Sequence, residues 1–417
     1  MANESDRVEA APIPHRGFTS RALAKAIFAA DAPEEFIRSI PAQGLYMAVQ
    51  HNGLDSSVDL IELASHEQVR LLLDFDLWSE DHLDEERIWS WLRLSDEEHG
   101  LRILQKVIRS IDLKIVSLLV SRHTDIRVFT EPTEQPPGPG YHTPDKGSTW
   151  IGITTEDADK HFLLARLLAL IFETDAELFY QLLAIPGVST ESVLEEESLQ
   201  DRQRRLSADG VPDRDLAHAI CAPLTDVDFT AALLSGPPRR HVHDIEAIHP
   251  LLYDVPTLQP LGGLISSLGR FDEFEAELTL IMNAAVVTFH VPFHNPDAVH
   301  LLAAQVKGAI NIGLEIAARE GRSPAAVYEQ LGLQPIFRLG LGRILALRRL
   351  AQRRERTAPA GDEAVAIIVE GLTGRFPTMP LFVQPDGTIH AAEGRLERSF
   401  RAIEHLGDIT VLKRRVE

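Results

Sequence analysis

Apolar residues recur at three- and four-residue spacing along most of the chain, in short runs closed by polar, Pro or Gly breaks. That period marks helices with one buried face, and the shortness of the runs means that no helix can bury its face alone. RALAKAIFAAD opens the series, and Pro33 begins the next run at a position where proline is tolerated. IPAQGLYMAVQHNG, SSVDLIELAS, HEQVRLLLDFDLW, DEERIWSWLRL and DEEHGLRILQKVIRSIDLKIVSLLV follow, several starting with Ser or Asp and acidic residues. From Ala32 to Val120 these units have a loose rhythm of roughly 20 to 30 residues, and stacking in a solenoid-like layer would cover their faces.

The pattern breaks in three places. EPTEQPPGPGYHTPDKGST must be loop, and the flanking IRVFT and TWIGITT read as a two-stranded ribbon. SGPPRRHVHDIEAIHPLLYDVPTLQPLGG interrupts the helices again between 235 and 263. Near the end, MPLFVQPDGTIH suggests a hairpin turning at Asp386–Gly387, with one more helix and a short strand, DITVL, after it. We therefore expect a mainly α fold with minor β-hairpins: a loose tail over 1–20, a repeat-like helical domain over 21–126, a ribbon over 127–155, a helical domain over 156–357 and a small α+β segment over 358–417.

Bulk properties exclude several classes. Residue content is 44% hydrophobic and 25% charged, enough apolar material for a sizeable core. Against 62 acidic residues stand 41 basic ones, a formal charge of −21, which disfavours nucleic acid as a partner of the whole surface. A single cysteine, Cys221, rules out an intrachain disulfide and a Cys-rich zinc site. MANESDRVEA lacks the basic start and apolar centre of a signal peptide. The most apolar stretch, Leu278 to Phe289, falls short of the roughly 20 residues of a membrane span and reads as a buried helix. A cytoplasmic protein without a transmembrane segment is the expectation.

Common catalytic motifs fail on inspection. His66-Glu67 begins an HExxH motif, but Arg70 stands where its second histidine belongs. Gly340 and Gly342 lack the third glycine of a dinucleotide fingerprint, Lys146-Gly147-Ser148 reverses a P-loop, and there is no G-x-S-x-G. What survives is a histidine-rich set: His241, His243, Glu246 and His249 in the second break, with His290, His294 and His300 after the apolar helix. If the groups met, imidazole and carboxylate ligands would suit zinc, iron or manganese in a hydrolytic site. The alternative is that these are surface residues beside prolines.

Four further features have a structural and a functional reading. Asn283, in the most apolar helix, must find a hydrogen-bond partner across the core or orient a ligand. Cys221, three residues from His218, would be a nucleophile or a small packed side chain. Trp78, Trp89 and Trp91 would be core or partner anchors, with core favoured. Arg338, Arg343, Arg348, Arg349, Arg353, Arg354 and Arg356 meet only Glu355 in an amphipathic helix. Arg348, Arg349, Arg353 and Arg354 would face a partner unless the stretch pairs internally, with Glu195 to Glu197 for example.

The segments LLLDFDLW…WLRL, LEEES…RQRRL, NIGLE and FRLG together resemble a bacterial family known only as a domain of unknown function. That resemblance implies no activity, cofactor or catalytic residue. The early helical rhythm is also similar to the cytoplasmic helical domain of magnesium transporters, a likeness of architecture that does not extend to their membrane segments. Together these features favour a helical scaffold or adaptor acting through protein–protein contacts. A metal-dependent enzyme and a binder of nucleic acid or an anionic surface through the arginine helix are the alternatives.

Overall fold

A computed structural model describes residues 31–79, 81–94, 100–185, 190–235, 258–268, 271–357, 362–391 and 396–417. Among these residues there are 19 α-helices and three small antiparallel sheets, so the fold is mainly α with minor β pairings.

Helices α1 (Pro33–Ser39), α2 (Ala42–Asn52), α3 (Val58–Leu63) and α4 (His66–Asp76) open the first unit. Helix α4 starts where the sequence says it should: Ser65 and Gln68 form a reciprocal capping box. A two-residue ribbon, β1 (Trp78–Ser79) with β2 (His82–Leu83), leads to α5 (Glu85–Arg93), capped by Asp84. The run from Asp96 to Val120, read above as one helical unit, holds two helices, α6 (Gly100–Ser110) and α7 (Leu113–His123). Asp112 separates them, because its carboxylate accepts from the Lys114 amide and founds a new N-terminus.

The ribbon forms as expected, β3 (Thr124–Val128) against β5 (Thr149–Ile153), and β4 (Tyr141–His142) adds a third strand on the other side of β5. Helices α8 (Ala158–Thr174), α9 (Ala176–Ala184) and α10 (Glu191–Ala208) then close the same core, which runs from Ile37 to Val211 and includes Trp78, Trp89 and Trp91. All three tryptophans are core residues.

The second unit contains α11 (Arg214–Ile220), α12 (Asp226–Ser235), α13 (Leu261–Ser267), α14 (Phe271–Phe289), α15 (Pro296–Arg319), α16 (Pro324–Leu331), α17 (Leu333–Thr357) and α18 (Glu363–Thr373). At its centre α15 and α17 cross with backbones in contact. A Cβ on Gly340 would overlap the Ala309 carbonyl, and one on Gly313 would overlap that of Ile336. Helix α15 is the one described helix long and apolar enough to cross a membrane, and 78% of its apolar window is buried inside this core.

The C-terminal segment departs from expectation. The hairpin is reduced to one bridge, Val383 with Ile389, around a turn in which Gly387 takes a φ of 86°, while β6 (Met379–Pro380) pairs with β7 (Phe400–Arg401). DITVL is not a strand: it lies in α19 (Leu406–Val416), and no helix occupies the described residues between the bridge and β7. His405 and Asp408 form a capping box, and Leu406, Val411, Leu412 and Val416 turn inward. Capping and burial of that face outweigh the β preference of Ile409, Thr410 and Val411.

Helix α4 carries two buried carboxylates that are paired within the first unit, and the units meet at a seam beside it. Asp74 is 4% exposed and receives a two-pronged ion pair from Arg205 at 2.7 and 2.8 Å. Asp76, 1% exposed, accepts from Tyr46 (3.1 Å), Gln50 (2.9 Å) and Trp91 (2.8 Å), with Arg87 at 3.6 Å. Between them Phe75 reaches the other unit, its ring 5.0 Å from that of Phe293. Asn283 on α14 donates across the seam to the Gly210 carbonyl at 3.0 Å.

Removing one partner of a buried pair leaves the other charge uncompensated. Arg205→Met should therefore lower unfolding stability by about 3 kcal/mol. A reduced urea midpoint with unchanged slope would register the loss, and a midpoint equal to wild type would contradict it.

Candidate functional site

The arginine stretch forms the outer half of α17, and its side chains divide. Arg338 donates to the Ala222 carbonyl, Arg343 pairs with Asp226, and Arg348 donates to the Arg375 carbonyl at 3.1 Å. Internal partners therefore exist, but they are not Glu195 to Glu197; Glu195 is held by Arg122 and the Leu83 amide. Arg348 and Arg354 are half-buried, whereas Arg349 and Arg353 are exposed.

The exposed pair lines a groove of about 320 Å³ between α17 and α19. Arg343, Arg349 and Arg353 stand on one wall and Lys413 on the other, with the half-buried Leu350 and Ile409 beneath them. Lys413 meets Glu417 at 3.5 Å, both side chains more than half exposed, an arrangement that water screens strongly. The groove thus has a mainly cationic rim, in which Asp226 pairs with Arg343 and Glu417 stands beside Lys413, over an apolar floor. The arginines were legible in sequence; Lys413 was not, because its helix read as a strand.

Of the histidine set, His241, His243, Glu246 and His249 lie outside the described residues. His290 ends α14 with a φ of 53°, and Val291 closes the helix by bonding to the Val286 carbonyl at 3.0 Å. His294 sits near Arg87, and its pKa is lowered, first by burial and then by that cation, with Asp76 and Asp84 opposing. A fixed guanidinium is a poor neighbour for a metal ion. His300 is exposed on α15. Among the described residues, no group of three or more His, Cys, Asp or Glu side chains is placed to hold a metal.

Cys221 is buried in the second core, and burial pushes its thiol up to about 11, so it has almost no thiolate at neutral pH. His218 points to solvent. Cys221 is a packed side chain, which agrees with the second of its two readings.

The segments that drew attention in the sequence lie at joints of the fold. LLLDFDLW and RQRRL meet through Asp74 and Arg205. In NIGLE, Asn311 accepts from the Leu261 amide and donates to the Glu404 carbonyl, while Glu315 binds His405 at 2.6 Å and the Leu406 amide at 2.8 Å. FRLG supplies Gly340 to the central crossing.

A two-unit helical protein, with polar joints in place of a recognisable catalytic constellation among its described residues, is the class that these observations define. The chain belongs to a family of unknown function, DUF6178, whose model matches residues 16–416. No curated protein and no solved structure matches it, and the likeness to magnesium transporters finds no support.

Sequence reasoning missed one titratable group, Asp209, at the end of α10. Its Oδ2 is enclosed without a hydrogen-bond partner, and burial raises its pKa to about 6, with Gln43 working against the shift and Glu67 adding to it. Because this value exceeds the ordinary one near 4, the folded state holds the proton longer, so stability falls as pH rises from about 4 to 6. Asp209→Asn should remove that fall. The variant should match wild type at pH 4 and exceed it by roughly 1–2 kcal/mol at pH 7.5 in urea titrations, the two-unit shift being discounted for partial exposure.

Proposed function

We propose that the protein is a helical adaptor that takes an acidic, amphipathic segment of a protein partner into the groove between α17 and α19. The observation that carries this reading is the concentration of Arg343, Arg349, Arg353 and Lys413 over Leu350 and Ile409, in a chain whose net charge is −21. Guanidinium groups match carboxylates in geometry, and an apolar floor favours a partner with leucine-like side chains. Nucleic acid fits less well. Its affinity depends on many phosphate contacts, and the acidic remainder of the surface repels it.

A fluorescent peptide of alternating Glu and Leu helical turns, read by anisotropy at low and moderate salt, tests the proposal. Binding should weaken with salt, and Arg349→Glu with Lys413→Glu together should weaken it by about tenfold or more, which corresponds to ~1.4 kcal/mol. Single-stranded DNA of equal length binding more tightly than the peptide would put nucleic acid in the peptide's place. Equal peptide binding by wild type and the double variant would remove the groove from consideration.

A further inference from the structure

A second site lies in the seam, remote from the groove in sequence and independent of the adaptor reading. Between the units is a pocket of about 280 Å³. Phe75 and Trp78 line it from the first unit, and Val286, Val287 and Phe293 from the second. Arg202, on α10, is the half-buried cation of its wall, and the exposed Arg214 stands at its rim.

The position of Arg202 is unusual for a half-buried charge. Its Nε donates to the Asp74 carbonyl at 2.7 Å, and its guanidinium lies 5.6 Å from the Trp78 ring centre. Its terminal nitrogens have no hydrogen-bond partner among the described residues, and no described carboxylate lies within ion-pair distance. Two of the nearby acids are otherwise engaged, and the third, Asp81, acts on Arg202 only as a neighbouring charge. Both oxygens of Asp74 are held by Arg205, and Asp213, on the rim, caps α11 by accepting from the Leu216 amide. Asp81 is on the rim and exposed. Loss of water around Arg202 lowers its pKa to about 10, with the charges of Asp74 and Asp81 working against the shift.

A cation withdrawn from water is normally paired, and pairing at a preformed fork favours carboxylate or phosphate oxygens. Polar side chains, among them Ser79, Asp81, Gln203, Asp213 and His290, share the lining, but Phe75, Trp78, Val286, Val287 and Phe293 give it an apolar face, which suits an anion with an apolar body. At about 280 Å³ the pocket falls just below the range of drug-sized ligand sites, which limits that body to a compact one. We propose that the seam pocket binds a small organic anion, a carboxylate or phosphate monoester whose oxygens pair with Arg202 and whose apolar body lies against Phe75, Val287 and Phe293.

Benzoate and phenyl phosphate are suitable probes, with benzyl alcohol as the uncharged control, and Trp78 gives a fluorescence signal at the pocket itself. At least one anion should bind saturably to the full chain, tenfold or more tightly than benzyl alcohol. The preferred probe distinguishes carboxylate from phosphate ligands. Arg202→Met should weaken that binding tenfold or more with the unfolding midpoint retained. Val287→Phe, which fills the pocket and leaves the cation in place, should abolish it. Absence of saturable binding by either anion, binding no tighter than that of the alcohol, or unchanged binding in Arg202→Met would overturn the proposal. Should Arg202→Met fail to fold, Val287→Phe decides alone: lost binding supports the site and unchanged binding overturns it.

Discussion

Two carboxylates placed inside the protein, Asp74 and Asp76, set the arrangement around them. A buried charge has to be answered by partners, and α4 presents these two in different directions because successive helical residues are turned by about 100°. Asp74 requires Arg205 and so brings α10 onto α4, while Asp76 gathers Tyr46 from α2 and Trp91 from α5. Phe75, between them, is left to face Phe293 of the other unit. One turn of helix thereby orients four neighbours. The partners of each carboxylate also make alternative registers costly, since a shift of α10 by one residue would strand Asp74.

How much of this was legible depends on how far apart in sequence the cause lies. Helix α4 could be read from its own residues, because Ser65, Gln68 and the spacing of Val69, Leu72 and Leu73 are local signals. The strands β3 and β5 could be read for the same reason. LLLDFDLW drew notice as a pattern, yet nothing near it shows that Asp74 is answered by Arg205, 131 positions later. Asp112 was overlooked because Ile111 and Leu113 on either side continue an apolar rhythm that hides a helix boundary. DITVL misled through its β-branched composition, and with it Lys413 was lost from view. The pocket beside Arg202 could not be foreseen at all, since its walls come from α4, α10 and the end of α14.

The groove and the pocket illustrate two ways of leaving a cation on an acidic protein. Around the groove the arginines remain in water, where their charge costs little and acts mainly on the approach and orientation of a partner. Arg202 is half-buried against Trp78 and the Asp74 carbonyl, so part of its hydration is lost to the surrounding structure. The first arrangement suits a broad, salt-sensitive contact; the second suits a small molecule recognised by a few atoms.

The glycines at the crossing of α15 and α17 have a consequence for the outer face of α17. Where side chains separate two helices, rotamer changes allow the axes to drift and a neighbouring groove to widen or narrow. At Gly313 and Gly340 main chain rests on main chain, leaving no rotamer to adjust. Helix α17 is therefore seated like a rail bolted to its bed, and α19, packed on the same helix, inherits that datum. The α17 wall of the groove is thereby fixed, and any change in the groove's width is left to α19 and to side chains such as Leu350 and Ile409 between the two helices.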